Sequence, residues 1–278
     1  MASLVGAQAA PRDFRASVRH YVRVLHVIAS VDFRLKYADS ALGYVWSLVK
    51  PLSYFTILWI VFGRFFKLNS FPHFPLFLFI GIVLYTFMVD AIGTAIPSVV
   101  TSGSVIRRLS FPRLILPISA TLTSGITFLI NASAVIVFIA VSRITPKPSW
   151  VLLPLLIVEL YVLVLGIALL LSAAFVRYRD VSQVWELVAQ LLFYASPVMY
   201  PVGFLPPWFQ PIAYLNPFVQ VTQDVRALVV GSSQPHGTIT SVYGTPYARL
   251  LPIGIAFFIL GLGVAYFRRR SVSFAEQV

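Results

Sequence analysis

Six stretches of about 20 mostly apolar residues run through this chain, and they constrain its fold more than any other feature. A helix needs about that many apolar residues to cross the hydrocarbon core of a bilayer. The stretches lie at 42–66, 75–100, 114–141, 150–176, 181–200 and 248–267. Only 11% of the residues are charged, whereas soluble domains carry about 25%. We therefore predict an all-α polytopic membrane protein with six transmembrane helices.

The Lys and Arg residues divide unevenly between the two sides of these spans. Six spans put both termini on one side, which then holds fifteen of the 21 Lys and Arg residues, and the other six, Arg226 and Arg249 among them, fall opposite. Because cytoplasmic loops carry the excess of positive charge, we predict that both termini are cytoplasmic. The same rule explains the net charge of +12 without a nucleic acid as partner.

Three regions follow from this topology. We expect a cytoplasmic N-terminal segment at 1–38, a transmembrane domain at 39–270 and a short cytoplasmic tail at 271–278. Within the first region, Arg12, Arg15, Arg19 and Arg23 recur every three or four residues, opposite an apolar stripe. This pattern predicts an amphipathic helix over 12–35 that lies in the membrane interface, either as an anchor or as a docking surface for a partner.

The loop between the second and third stretches, TSGSVIRRLSFPRLILP, is short and basic. Thr101, Ser102 or Ser104 is placed to cap a helix of one or two turns, which Pro112 would end. A short helix at the membrane surface can dock into a groove of a partner protein. The alternative is a plain loop whose arginines only set the topology.

The first stretch carries an aromatic stripe. Phe55, Trp59, Phe62 and Phe66 follow at steps of four, three and four residues, which places them on one helical face. Because sugars present apolar C–H faces that stack on aromatic rings, this stripe is a candidate lining for a glycan path. A stripe that faces lipid or packs against a neighbouring helix is the alternative.

Three acidic residues fall in or beside the apolar stretches: Asp90, Glu159 and Glu186. An ionised group near the bilayer centre costs about 2.5–3.5 kcal/mol on insertion scales, so these side chains should face protein or water. They are candidates for structural polar contacts or, in a different class of protein, for the proton relay of a secondary carrier.

The stretch SPVMYPVGFLPPWFQPIAYLNPFVQ is nearly free of charge but holds six prolines. Proline breaks helices, so this stretch cannot be a seventh continuous span. Irregular backbone at membrane depth is tolerated only where protein or water satisfies it. We predict re-entrant extracytoplasmic helices over about 201–230, which act as a gate or as an inert cap.

No motif for covalent chemistry stands out in the sequence. It holds no G-x-x-x-x-G-K-[ST] loop, no H-E-x-x-H, no G-x-S-x-G and no cysteine, and its four histidines are scattered. We therefore expect a non-catalytic chain without a metal site or a cofactor of its own.

Four blocks, in this order, resemble a known family. They are FRLKYADSALGYVWSLVKP at 33–51, IRRLSFPRLILP at 106–117, YRDVSQV at 178–184 and SPVMYP…LPP…LNP at 196–217. Together they resemble the transmembrane subunit of ABC exporters for O-antigen, teichoic acid and related capsule or cell-wall glycans, the ABC-2 permease group (Wzm/TagG-like). The resemblance covers about residues 15–268.

The resemblance implies a homodimer of six-span subunits in the bacterial inner membrane, bound to two copies of a cytoplasmic ABC ATPase that holds ATP and Mg²⁺. It implies a channel for a lipid-linked glycan between the two permeases. It also implies three sets of site residues. The ATPase-coupling set is Ser104, Arg107, Arg108, Leu109, Arg179 and Asp180; the substrate path is Phe55, Trp59, Phe62 and Phe66; the gate is Pro197, Tyr200, Pro201, Pro206, Pro207, Asn216 and Pro217.

The sequence thus predicts the membrane subunit of an ATP-driven exporter of a lipid-linked polysaccharide. Two alternatives stay open: an ABC-2 exporter of a small lipid or drug, and a proton-coupled carrier that uses Asp90 and Glu159.

Overall fold

The computed structural model describes residues 45–66, 73–102, 113–231, 237–271 and 274. Within these ranges the chain forms helices joined by short turns, without a strand. The α-helices are α1 Val45–Leu58, α2 Phe74–Ala95, α3 Ser98–Thr101, α4 Ile115–Val141, α5 Leu153–Phe175, α6 Val181–Ala195, α7 Gln210–Tyr214, α8 Pro217–Val229, α9 Ile239–Tyr243 and α10 Leu250–Ser271. A π-helix, Trp59–Phe65, continues α1, and 3-10 helices occupy Pro148–Leu152, Val202–Phe204 and Pro246–Arg249. The predicted all-α class is confirmed.

Among the described residues, five helices are long and apolar enough to cross a membrane. They are Val45–Phe65, Phe74–Ala95, Ile115–Val141, Pro148–Phe175 and Pro246–Ser271. These helices coincide with five of the six apolar stretches of the sequence. Helices of this length and composition indicate an integral membrane protein.

The remaining apolar stretch, 181–200, forms a shorter helix than predicted. Helix α6 has 15 residues and ends at Ala195, because Ser196 adopts an extended backbone and Pro197 follows it. At 1.5 Å per residue, α6 is about 22 Å long, whereas the hydrocarbon core is about 30 Å thick. A sixth span and cytoplasmic termini therefore stay predictions.

Helix α2 is the centre of the bundle. Seventeen of its 22 residues are buried, and it contacts α1, α4, α5, α6 and α8. A helix that is apolar on all sides is stable only when it is surrounded, by protein or by lipid. The apolar sequence FPLFLFIGIVLYTFMV explains why α2 takes the inner position and the other long helices keep one face on the surface.

Helices α5 and α10 approach each other closely at two glycines. A Cβ atom added to Gly166 would lie 2.7 Å from the backbone nitrogen of Leu260, and one added to Gly263 would collide with the carbonyl oxygen of Gly166. Small residues let helix backbones meet at short range inside membranes, where van der Waals packing holds helices together.

Short helices separated by prolines form the segment between α6 and α10. Pro201 precedes a 3-10 turn, Pro211 lies in the first turn of α7, and Pro217 is the first residue of α8. The segment has a small core of its own, made of Val202, Tyr214, Val219, Ile239 and Ala248. Helix α8 joins it to the bundle, since α8 contacts α2, α5 and α10. Its depth in a membrane stays a prediction.

Candidate functional site

A pocket of about 660 Å³ lies between helices α1, α2 and α6, and we call it the α1–α6 pocket. Its aromatic lining consists of Tyr54, Tyr85, Trp185, Phe193 and Tyr194. Its polar lining consists of Lys50, Thr86, Asp90, Thr94, Glu186 and Gln190. The pocket therefore offers ring faces together with hydrogen-bonding groups.

An ion pair joins α1 to α2 at this pocket. Lys50 Nζ lies 3.0 Å from Asp90 Oδ1, and both side chains are partly exposed. The hydroxyl of Thr94 donates to the Asp90 carbonyl oxygen at 2.8 Å and lies 3.1 Å from Ser124 Oγ on α4. A carboxylate beside an apolar span is tolerated when it is paired and reaches water or protein. Asp90 meets the sequence expectation that it faces protein or water.

Aromatic contacts connect the pocket walls. The ring centroids of Tyr85 and Phe193 are 5.0 Å apart, and those of Tyr54 and Phe193 are 6.5 Å apart. The hydroxyl of Tyr85 donates to the backbone carbonyl of Ala189 on α6. Rings from α1, α2 and α6 thus form one continuous wall.

The predicted aromatic stripe of the first span lies on a different face of α1. Phe55 is buried, with its ring centroid 5.4 Å from that of Phe79 and 5.2 Å from that of Phe138. Trp59 stacks against Phe55, Phe62 stacks against Phe66, and Phe66 is exposed. The stripe thus runs from a packing contact with α2 and α4 to the surface, and its role in a substrate path stays a prediction.

A buried arginine joins the segment between α6 and α10, which we call the proline segment, to the central helix α2. The Nε of Arg226 donates to the Phe77 carbonyl at 2.9 Å. Its two other nitrogens donate to the carbonyls of Pro197 at 2.7 Å and Val198 at 2.5 Å. Because Ser196 and Pro197 interrupt the helical pattern after α6, these carbonyls need an external donor, and Arg226 supplies it.

The charge count places Arg226 on the side of the membrane opposite the termini, and that side stays a prediction; its burial inside the helix bundle is not foreseen by the count. Arg226 lies in the last turn of α8 and is completely buried. Burial lowers the pKa of Arg226 to about 9, and the guanidinium still carries its charge at neutral pH. The sequence carries one sign of this burial, because Arg226 stands between the apolar residues Val225 and Ala227. Its hydrogen-bond partners are backbone carbonyls, which no sequence pattern identifies.

The predicted gate residues differ in how deeply they are buried. Pro197, Pro201 and Pro217 are buried, Tyr200 and Asn216 are partly buried, and Pro206 and Pro207 are exposed. Asn216 Oδ1 accepts a hydrogen bond from the Phe218 backbone nitrogen at 3.0 Å, so Asn216–Pro217 caps and starts α8, as the sequence pattern indicates. The hydroxyl of Tyr200 donates to the Tyr194 carbonyl at 3.1 Å, which links the segment to the pocket wall.

The predicted coupling residues are only partly described. Arg179 and Asp180 are exposed in the turn between α5 and α6. Ser104, Arg107, Arg108 and Leu109 lie outside the described residues, as does the predicted helix at 12–35.

Glu186 and Asp90 both line the α1–α6 pocket, whereas Glu159 lines a separate cavity between α5, α8 and α10. The three carboxylates named in the sequence therefore lie at two different places, and among the described residues no group of three or more Asp, Glu, His or Cys residues is arranged for a metal ion.

Comparison with known proteins decides the family. Residues 23–229 match the ABC-2 type transporter family. The chain belongs to the ABC-2 type transporter family. This match confirms the resemblance in the sequence, and with it the interpretation as a membrane permease subunit rather than an enzyme.

Curated relatives cover nearly the whole ABC-2 chain. It is 26% identical over 254 residues to a Klebsiella pneumoniae protein named O-antigen export system permease protein RfbA, and the aligned part covers 91% of this chain and 94% of that protein. A protein of the same name from Myxococcus xanthus is 22% identical over 260 residues, which cover 93% of this chain and 96% of the relative. The similarity thus extends over most of the chain and is not confined to single motifs.

Proposed function

We propose that this ABC-2 protein is the transmembrane subunit of an exporter that moves a lipid-linked polysaccharide of the O-antigen type out of the cytoplasm. The names of the curated relatives support this substrate class. ATP and Mg²⁺ bind a separate ATPase subunit, as expected for a permease subunit of an ABC transporter.

The α1–α6 pocket is the observation that carries the substrate class. Sugars combine apolar C–H faces with many hydroxyl groups, so they need ring faces and hydrogen-bonding side chains close together. Tyr54, Tyr85 and Tyr194 supply rings with polar tips, while Asp90 and Gln190 supply polar groups. Pockets for small molecules are mainly apolar with few polar groups, whereas this lining has six polar side chains beside its rings, which favours a glycan.

The proposed mechanism uses binding and movement, without covalent steps on this chain. ATP-driven closure of two ATPase subunits pushes on the loop at Arg107 and Arg108. Helices α1 and α6 then part, and the lipid-linked chain enters the pocket from the side. The sugars slide along the rings of the pocket and of the Trp59–Phe62 stripe, and the segment from Pro197 to Pro217 opens outward.

A homodimer fits the surfaces of α1 and α6. Trp46 and Ile57 on α1, and Val184, Leu187 and Leu191 on α6, are exposed apolar side chains. Two copies that meet along these helices would enclose the pockets of both subunits in one channel. Both termini in the cytoplasm of an inner-membrane protein would place the coupling loop next to the ATPase.

Replacing two rings of the pocket tests this function. The double variant Tyr54→Ala/Tyr194→Ala should lower the amount of glycan on the cell surface about tenfold, since two ring contacts would together contribute about 1.4 kcal/mol. Surface glycan is measured with a lectin or antiserum, after immunoblotting has shown equal permease in the membrane. Tyr247→Ala, an exposed tyrosine outside the pocket, is the control. Unchanged export in the double variant would refute the pocket as the glycan path.

The rival carrier mechanism differs from the exporter mechanism in its need for the ATPase partner. A proton-coupled carrier should lose export in Asp90→Asn/Glu159→Gln and keep it with an ATPase-dead partner. The exporter should lose transport with the ATPase-dead partner, and the lipid-linked precursor should accumulate in the cytoplasmic leaflet.

A further inference from the structure

A second cavity, about 210 Å³ in volume, lies between α5, α8 and α10. Most of its wall is apolar, and several wall side chains lie on the outer surface of the bundle. Leu155, Val158 and Phe257 are each more than half exposed. The cavity therefore opens sideways on a surface that faces lipid in a membrane, and we call it the α5–α10 cavity.

One end of this cavity is polar. Gln220 Nε2 donates to Asp224 Oδ2 at 2.8 Å, and Arg249 Nε lies 3.2 Å from the same oxygen. A second nitrogen of Arg249 lies 3.4 Å from Asp224 Oδ1. Burial raises the pKa of Asp224, and the neighbouring guanidinium opposes this shift. The Arg249 side chain is 44% exposed, so part of its guanidinium faces outward.

Two buried acceptor oxygens at this end lack a hydrogen-bond partner. They are Oε1 of Glu159, a side chain 8% exposed, and Oε1 of Gln220, 1% exposed. Both residues line the cavity. While Glu159 is ionised, neither oxygen can satisfy the other, because a carboxylate oxygen and an amide oxygen both accept. An unsatisfied buried acceptor is costly, so the site is built for a group that brings N–H or O–H donors.

The charged side chains at this end of the cavity include more acidic than basic groups, which also favours a ligand with a cationic donor. Glu159 and Asp224 are acidic, and Arg249 is the one basic residue that lines the cavity. Arg249 forms its ion pair with Asp224, and its charge acts on Glu159 only as a further neighbour, so one guanidinium serves two carboxyl groups. A ligand that matches this arrangement carries a cationic donor for Glu159, an anion within reach of Arg249, and an apolar tail for the leucine-rich wall.

We propose that the α5–α10 cavity binds a bilayer phospholipid whose head group carries a primary ammonium, with the ammonium at Glu159 and Gln220 and the phosphate at Arg249. The three N–H groups of a primary ammonium satisfy both orphan acceptors, and a trimethylated ammonium has none to donate. The acyl chain lies along Leu155, Val158 and Phe257, continuous with the surrounding lipid.

Retention of lipids by the purified full-length permease tests this site. The protein is extracted from membranes, exchanged into detergent with equal amounts of phosphatidylethanolamine, phosphatidylcholine and phosphatidylglycerol, and analysed by native mass spectrometry. We expect phosphatidylethanolamine to be retained over the other two. Glu159→Gln should reduce that retention about tenfold, because a hydrogen bond between charged groups is lost.

A matched pair of bulky substitutions covers the case in which Glu159→Gln fails to fold. Val158→Trp fills the cavity and should also abolish the preference, whereas Val137→Trp, at a similarly exposed valine of α4 outside the cavity, should keep it. Equal retention of phosphatidylcholine would overturn the proposal, as would unchanged retention in Val158→Trp. Binding of dodecylamine without any phospholipid preference would overturn it too, since the cavity would then take a free amine.

Discussion

The guanidinium of Arg226 lies 3.7 Å above the ring of Phe77, while its Nε donates to the carbonyl of the same residue. Residues 149 positions apart in the chain thus make one charged contact in the centre of the bundle. The two terminal nitrogens of the guanidinium donate to the carbonyls of Pro197 and Val198, which directly follow the end of α6. One side chain therefore fixes the place where α2, α8 and the proline segment meet.

Replacing Arg226 should destabilise the permease more than replacing any exposed arginine. Arg226→Met removes three hydrogen bonds from a charged donor to buried carbonyl oxygens, each of which contributes about 1.5–3 kcal/mol. We expect the free energy of unfolding to fall by about 3 kcal/mol or more. The fall should appear as a lower Tm in detergent and a smaller monodisperse fraction. Arg64→Met, at an exposed position beyond α1, is the control and should change the Tm little. A Tm equal to that of the control would show that the buried contacts of Arg226 add no net stability.

The close contact of α5 and α10 should tolerate no side chain at Gly263. The added Cβ would meet the backbone carbonyl of Gly166, which cannot rotate away, so the helices must separate. We expect Gly263→Val to lower the free energy of unfolding by about 1–3 kcal/mol, because the added side chain overpacks the helix contact. Gly261→Val on the same helix meets no atom within 4 Å and serves as the matched control. Thermal unfolding of both variants in the same detergent decides the comparison, and equal Tm values would contradict the close packing.

Five of the spans can be predicted from the sequence, because about 20 apolar residues in a row are typical of a membrane-spanning helix and of few other structures. The proline pattern likewise indicates where the short helices of 196–230 begin. Helix α6 shows the limit of this signal. Its apolar stretch continues to Tyr200, yet the helix ends at Ala195, and the following residues satisfy their carbonyls through Arg226.

The candidate site is less predictable, because it depends on which face of each helix turns inward. The stripe at Phe55, Trp59, Phe62 and Phe66 has the right spacing for one face, but nothing in its periodicity tells packing from lining. In the structure the pocket uses Lys50 and Tyr54 of α1 instead. The contacts of Lys50 with Asp90, forty residues away, and of Tyr54 with Phe193 show which face that is.

The ion pair between Lys50 and Asp90 should matter more for transport than for stability. Both side chains are partly exposed, and such pairs contribute about 0–1 kcal/mol. We expect a double-mutant cycle with Lys50→Met and Asp90→Asn to give a coupling energy within that range in detergent unfolding. If the pocket holds the glycan, each single variant should still reduce export in cells. A coupling energy several times larger would instead mark the pair as a structural contact.

The hydroxyl of Tyr85 should hold helix α6 against the bundle. It donates to the Ala189 carbonyl in the middle of α6, a helix with few other contacts to α2. Tyr85→Phe keeps the ring and its contact with Phe193 but removes the bond, which contributes about 1 kcal/mol. We expect the amides of α6 to exchange with deuterium about fivefold faster, as measured by mass spectrometry.

The matched control for this loosening is Tyr161→Phe. The Tyr161 hydroxyl lies 3.1 Å from Thr121 Oγ1 and links α4 to α5, so its loss removes a comparable bond without touching α6. Faster exchange confined to α6 in Tyr85→Phe, and absent there in Tyr161→Phe, would identify α6 as the helix wall that moves when the pocket opens. Unchanged exchange in α6 would instead show that its ring contacts hold it in place, and the lateral opening proposed between α1 and α6 would then need another moving part.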